Sequence, residues 1–197
     1  MFNQNNYSRR LWTLNLVVVL SLAISPPVLA EASHFELQYM FMEADLDDAN
    51  FEPDAVLYKH IIPYNSFINL EGIVAIGVTK EKEYRKTGVA GTYTQKLILS
   101  NMLGIMANIS GHLEPKVHAY VHFGLVRMDY DLSTPSWVVG GPNGSQSQTG
   151  LAYGFGLSLH VLEKGAFIVE YNEFPDVDVG NKSIKTTALS VGYQVPF

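Results

Sequence analysis

The sequence has no cysteine, and only 16% of its 197 residues are charged. Without cysteine, disulfides, thiolate metal sites and cysteine nucleophiles are excluded. An ordinary soluble domain carries about 25% Asp, Glu, Lys and Arg, so this chain is short of the groups that keep a globular surface wet. Cations are the scarcer sign: 13 Lys and Arg stand against 19 Asp and Glu, a formal charge of -6. An acidic chain repels a phosphate backbone, which argues against nucleic acid as a partner. Disorder is excluded by a composition that is 47% hydrophobic and 12% aromatic. Long apolar runs are missing as well, apart from one at the N-terminus.

That run has the form of an export signal. Arg9-Arg10 precede an apolar stretch from Leu11 to Ile24, and Ser25-Pro26-Pro27-Val28-Leu29-Ala30 follows it. A positive start, a short apolar middle and small residues at the end mark a secretory signal peptide. A spanning helix needs about 20 apolar residues, and Pro26-Pro27 stops the run before that length. We therefore expect residues 1–30 to be a signal peptide, cleaved after Ala30 or Ala32, and 31–197 to be one exported domain of charge -8.

The exported part alternates with a period of two. Leu189, Val191, Tyr193, Val195 and Phe197 are separated by Ala188, Ser190, Gly192, Gln194 and Pro196. The same split recurs in 151–161, where Leu151, Tyr153, Phe155, Leu157, Leu159 and Val161 oppose Ala152, Gly154, Gly156, Ser158 and His160. It recurs in 118–125, 35–42, 69–78 and 167–172, and with Asn101 as an exception in 96–108, where Leu97 and Leu99 fall on the apolar face and Lys96 on the polar one. The segment 55–62 is less regular and is assigned from the turn residues Pro63-Tyr64-Asn65-Ser66 behind it. Such alternation belongs to strands lying between two different media, and eight of them are counted.

The links alternate too. Short turns at 63–66, 110–115 and 163–165 take turns with longer polar links at 47–54, 80–92, 132–149 and 175–185. Transmembrane barrels show short periplasmic turns and longer extracellular loops. A soluble ligand-binding barrel is the rival, with its apolar face inward. The polar faces decide: they hold more Gly, Ala, Ser, Asn and Gln than charge, whereas a water-facing sheet would be richer in Lys and Glu. Aromatics near strand ends, Phe35, Phe67, Tyr130, Phe174, Tyr193 and Phe197, fit interfacial girdles. The expected fold is all-β, an eight-stranded antiparallel up-and-down transmembrane β-barrel.

Four stretches carry a resemblance to a known family: Tyr120 to Gly124 (YVHFG), Tyr153-Gly154-Phe155-Gly156, Glu170-Tyr171 and the ending Leu189 to Phe197. In their order and spacing they resemble the OmpA-like and opacity-protein-like porin group, small eight-stranded outer-membrane barrels of Gram-negative bacteria. The resemblance implies an outer-membrane location, lipid and lipopolysaccharide as surroundings, and an assembly signal at Tyr193, Val195 and Phe197 read by the barrel-assembly machinery. Pro196 departs from the pattern, because it has no N–H for a ladder position. The peptidoglycan-binding domain of larger members is not expected here.

Chemistry is sparse. His118 and His122 share a strand face, but four residues at about 3.3 Å each separate them by about 13 Å, too far for one metal ion. Tyr120, Ser158 and His160 could form a nucleophile and base across strands, as in barrels that act on lipid A, yet they fall on the inward face. We expect no enzyme, no cofactor and no metal. Glu36, Glu71 and Glu170 point inward with Lys59 and Lys96, and buried charges must pair. With His118 and His122 they are expected to form an interior polar network that fills the barrel, a structural or surface-interaction protein being favoured over a narrow porin. The acidic link Asp45 to Asp54 fails the calcium-loop pattern at Ala49. The link with Trp137 and Gly140-Gly141-Pro142-Asn143-Gly144 reads as an exposed loop that could meet a surface ligand. Beyond residue 30, only Glu36, Glu43, Lys59, Glu71, Lys96, Arg127, Glu170 and Glu173 place charge within the expected strands.

Overall fold

A computed structural model describes residues 33–46, 49–78, 82–88, 91–135, 143–162 and 165–196. The expected signal peptide, Trp137, Gly140 to Pro142 and Phe197 lie outside the described residues. Among the described residues there are ten strands: β1 (His34–Leu46), β2 (Ala49–Phe51), β3 (Asp54–Pro63), β4 (Ile68–Gly77), β5 (Lys82–Gly88), β6 (Gly91–Glu114), β7 (Val117–Ser133), β8 (Gly144–Leu162), β9 (Gly165–Val179) and β10 (Lys182–Pro196). Eight of them form the order β10-β9-β8-β7-β6-β4-β3-β1, and β10 pairs again with β1, so the antiparallel sheet closes. Closure leaves these eight strands without a free edge and satisfies their ladder internally. The expected eight-stranded barrel is borne out, with β2 and β5 as additions hung on β1 and β6.

The outer surface is apolar. Leu37, Ile105, Leu125, Leu151 and Phe155 are 57–70% exposed, and Phe41, Val121, Phe123, Phe167, Val169 and Leu189 join them. An apolar surface of this extent marks a membrane or an interface rather than water, which removes the soluble barrel. Tyr64 and Phe67 are exposed at the short turn between β3 and β4, where Asn65 Oδ1 accepts the amides of Phe67 and Ile68 at 2.9 and 2.8 Å. Tyr130 and Phe174, read from the sequence as girdle residues, are instead buried inside. Both share the inward phase of their strands: Tyr130 is in step with Tyr120 on β7, and Phe174 with Glu170 on β9.

The polar links are shorter than expected because strands run into them. In the 175–185 link, β9 and β10 continue to a turn at Gly180, whose φ of 69° suits a residue without Cβ. Phe174 and Pro175 are both buried at an irregularity between the Ile184 and Thr186 pairings, where β9 carries one extra residue, and this lets Val177 and Val179 point inward above it beside Ile184. Likewise 47–54 contains β2, with Ala49 and Phe51 buried. Here apolar burial and ladder pairing outweigh the polarity that suggested open loops.

One face assignment is reversed. β6 shifts register between Leu99 and Asn101 against β7, leaving Ser100 as the extra residue. Below it Leu103 and Ile105 face outward as expected; above it Leu97 and Leu99 are buried and Lys96 lies on the other face. A strand that gains one residue at a bulge changes the parity of everything beyond it.

Candidate functional site

The inward faces divide into two layers. Toward the long hairpins, Met40, Met42, Phe51, Leu57, Ile73, Leu97, Leu99, Met102, Met106, Val126, Met128 and Tyr130 are all 0–2% exposed and belong to one apolar cluster. The Tyr130 hydroxyl within that layer meets Thr186 Oγ1 at 2.9 Å. Toward the short turns, the inward positions of the same strands become Glu36, Gln38, Lys59, Glu71, Asn108, Tyr120, His122, Glu170 and Asn172, all buried. The polar network is therefore one layer of the interior, and does not fill the whole barrel as expected.

Lys59 lies at the centre of that layer. Its Nζ donates to Glu170 Oε1 at 2.5 Å and stands 3.6 Å from Glu71 Oε2. Glu170 Oε1 also accepts the Tyr120 hydroxyl at 2.5 Å, and Glu170 Oε2 accepts Asn172 Nδ2 at 3.4 Å. Glu71 accepts Asn108 Nδ2 at 2.6 Å and faces His122 Nδ1 at 3.2 Å. The other ring nitrogen of His122 is 2.6 Å from Asn172 Oδ1, so both nitrogens face acceptor oxygens. Gln38 Nε2 donates to Glu36 Oε2 at 2.8 Å. Side chains from β3, β4, β6, β7 and β9 thus meet in one connected layer across the barrel, with the Glu36–Gln38 pair of β1 buried beside it. Ions here are removed from water, and pairing and hydrogen bonds offset that desolvation.

β8 contributes space instead of side chains. Gly154 pairs with His122 and Asn172, and Gly156 with Tyr120 and Glu170. A Cβ on Gly154 would collide with His122 Nε2 and Asn172 Oδ1, and one on Gly156 with the Tyr120 ring. The Gly-x-Gly of Tyr153 to Gly156 is the gap into which the network's largest side chains fit.

Of the residues expected in the network, Glu36, Lys59, Glu71, His122 and Glu170 are brought together. Lys96 is not. The bulge at Ser100 places it opposite Glu83 and Ser133 in the long hairpins, where it is half-buried. His118 is not in the network either; its ring lies between those of His112 and His160 at the turn end, tilted to both, centroids 4.0 and 4.4 Å away. Gln38, Asn108, Tyr120 and Asn172 were missed as members. Phase could have found three of them, Gln38 and Asn172 standing two residues from Glu36 and Glu170 and Tyr120 two from His122, whereas Asn108 joins through its pairing with His122. Tyr120 gives its hydroxyl hydrogen to Glu170, not to Ser158 or His160, and the buried Nδ1 of His160 has no hydrogen-bond partner. Of the expected assembly signal, Tyr193 packs edge-on against Phe167 at 5.4 Å and Val195 pairs with Phe35. Pro196 sits opposite His34 as the last residue of β10, a strand end where proline is tolerated.

No family model matches the chain, and no curated protein matches it in sequence. Solved structures do. OprG from Pseudomonas aeruginosa superposes with a TM-score of 0.58 at 11% identity, covering 84% of this chain and 96% of that one. The fold is that of a small outer-membrane β-barrel. Neisserial surface protein A gives 0.57 at 15% identity, covering 84% and 97%, and Ail of Yersinia pestis gives 0.52 at 18%, covering 82% and 97%. Ail was solved with the heparin analogue sucrose octasulfate. In transmembrane barrels as a class the short turns are periplasmic and the longer links extracellular; here the polar layer lies toward the short turns and the apolar layer toward the longer links.

Proposed function

We propose that this protein is a closed outer-membrane barrel, neither pore nor enzyme, whose work is to anchor a raised β-structure at the cell surface. The observation that carries the reading is the apolar layer. Above the Lys59 network, Phe51, Tyr130 and the five methionines and their neighbours bury their side chains almost completely. An eight-stranded barrel has an interior just wide enough for side chains, and here they are large ones. Ions would have to pass a dry layer and then a set of charges already engaged with one another.

The raised structure is built from strand extensions: the β5–β6 hairpin, the continuation of β7 to Ser133 and of β8 from Gly144, and the β9–β10 turn. The extracellular hairpins carry Lys82, Arg85, Lys86, Lys182 and Lys185 in their sequence. Cations at that height suit lipopolysaccharide phosphates as neighbours, and the ending at Tyr193 and Val195 suits handling by the barrel-assembly machinery. The test is liposome swelling. Vesicles carrying the folded protein in an isotonic small sugar should swell no faster than empty vesicles, whereas swelling scaled to protein content would establish the narrow porin.

A further inference from the structure

Four of the six histidines of the sequence stand on the inward face at the short-turn end: His34 on β1, His112 on β6, His118 on β7 and His160 on β8. β6, β7 and β8 are adjacent strands, and His112 pairs directly with His118. The ring centroids are 4.0 Å apart for His112 and His118 and 4.4 Å for His118 and His160. Beside them opens a cavity of about 170 Å³ lined by His34, Glu36, Asn108, His118, Tyr120 and His160. The Nδ1 of His160 is buried and has no hydrogen-bond partner.

A cluster of three imidazoles tilted against one another is a poor structural choice. It leaves a ring nitrogen unsatisfied, and protonating its members would set like charges against one another at about 4 Å. Cross-strand imidazoles at this separation do have one favourable use. Neutral imidazole is a nitrogen ligand for borderline divalent metals, and rings this close can turn two or three nitrogens toward a shared ion. Among the described residues no three ligating groups already converge, so the rings must turn from this arrangement to bind. Rotation toward the cavity is open to them, since His112 is exposed and His118 and His160 are only partly buried.

We propose that His112, His118 and His160 form a divalent transition-metal site at the short-turn mouth of the barrel, with water from the cavity in the remaining position. The site is separate from the Lys59 network, whose His122 has both nitrogens occupied. It requires only the observed fold and does not depend on whether the barrel conducts.

Untagged protein in detergent micelles, titrated with Zn²⁺ at pH 7.5 by calorimetry, should bind one ion saturably. The double substitution His118→Asn with His160→Asn should weaken binding at least tenfold, and His60→Asn, on the outer face, should leave it unchanged. Acidification should release the ion, because protons compete with it for the imidazole nitrogens. Should the double variant fail to show a folded, heat-sensitive gel band, histidine NMR on the wild type decides. Zn²⁺ should shift the ring signals of His112, His118 and His160 together and spare those of His60 and His122. Absence of saturable binding, undiminished binding in a folded double variant, or shifts confined to other histidines would overturn the proposal.

Discussion

Replacing Lys59 with Met tests the network at its centre. The side chain is nearly isosteric, so packing survives while the layer loses its central cation. Glu170 would lose the 2.5 Å donor at Oε1, and Glu71 the cation 3.6 Å from Oε2. Breaking a buried ion pair by removing one partner costs about 3–5 kcal/mol. Each carboxylate keeps other donors, Tyr120 and Asn172 for Glu170 and Asn108 and His122 for Glu71, which places the expected loss near the lower limit, about 3 kcal/mol. Equilibrium urea unfolding in short-chain lipid vesicles, followed by circular dichroism and by gel mobility without boiling, measures it. Adding Glu170→Gln should recover part of the loss, with a coupling of at least about 1 kcal/mol in the double-mutant cycle. A Lys59→Met barrel within about 0.5 kcal/mol of wild type would refute the view that this layer is held by its charges.

Lys96→Met, by contrast, should change stability by less than about 0.5 kcal/mol in the same unfolding assay, because Lys96 lies outside the barrel interior. Gly156→Ala should cost about 1–3 kcal/mol, since its Cβ would stand within 2.7 Å of Tyr120 Cε2 and push that ring off Glu170; a near-ultraviolet dichroism change should accompany it. Deleting Ser100 should be tolerated, at a cost of about 0.5–1.5 kcal/mol for its hydrogen bond to Asp131. The deletion removes the bulge while leaving Leu97 and Leu99 inward, whereas deleting Ile105 from the regular ladder should abolish the fast-migrating folded band. Gly180→Ala should cost about 1–2 kcal/mol through its left-handed φ, read as a lower unfolding midpoint.

Most of the barrel was legible because period-two alternation is a direct record of two media. Strands β1, β4, β7, β8, β9 and β10 have the faces their sequences imply, down to Glu36, Glu71, His122 and Glu170 pointing inward. Illegible features were those where one residue changes the count. Asn101, an exception on the apolar face of β6, was the trace of the Ser100 bulge, and without the bulge Lys96 was assigned to the interior. Polarity misled in the links. Residues 175–185 look like a loop by composition, yet Val177, Val179 and Ile184 supply a buried face once β9 and β10 continue to pair. The network's membership was only half visible, because Asn108, Tyr120 and Asn172 become partners through a register that alternation does not specify. The division of the interior into a polar and an apolar layer was present in the sequence, as inward Glu36 and Gln38 giving way to inward Met40 and Met42 along one strand.

The central claim is a barrel shut by its own side chains, and single-channel recording tests it most directly. Purified protein inserted into a planar bilayer in 1 M KCl should give a flat trace at either polarity, with insertion verified by protease cleavage of the extracellular hairpins. Reproducible unitary steps that scale with the number of inserted molecules would contradict the account.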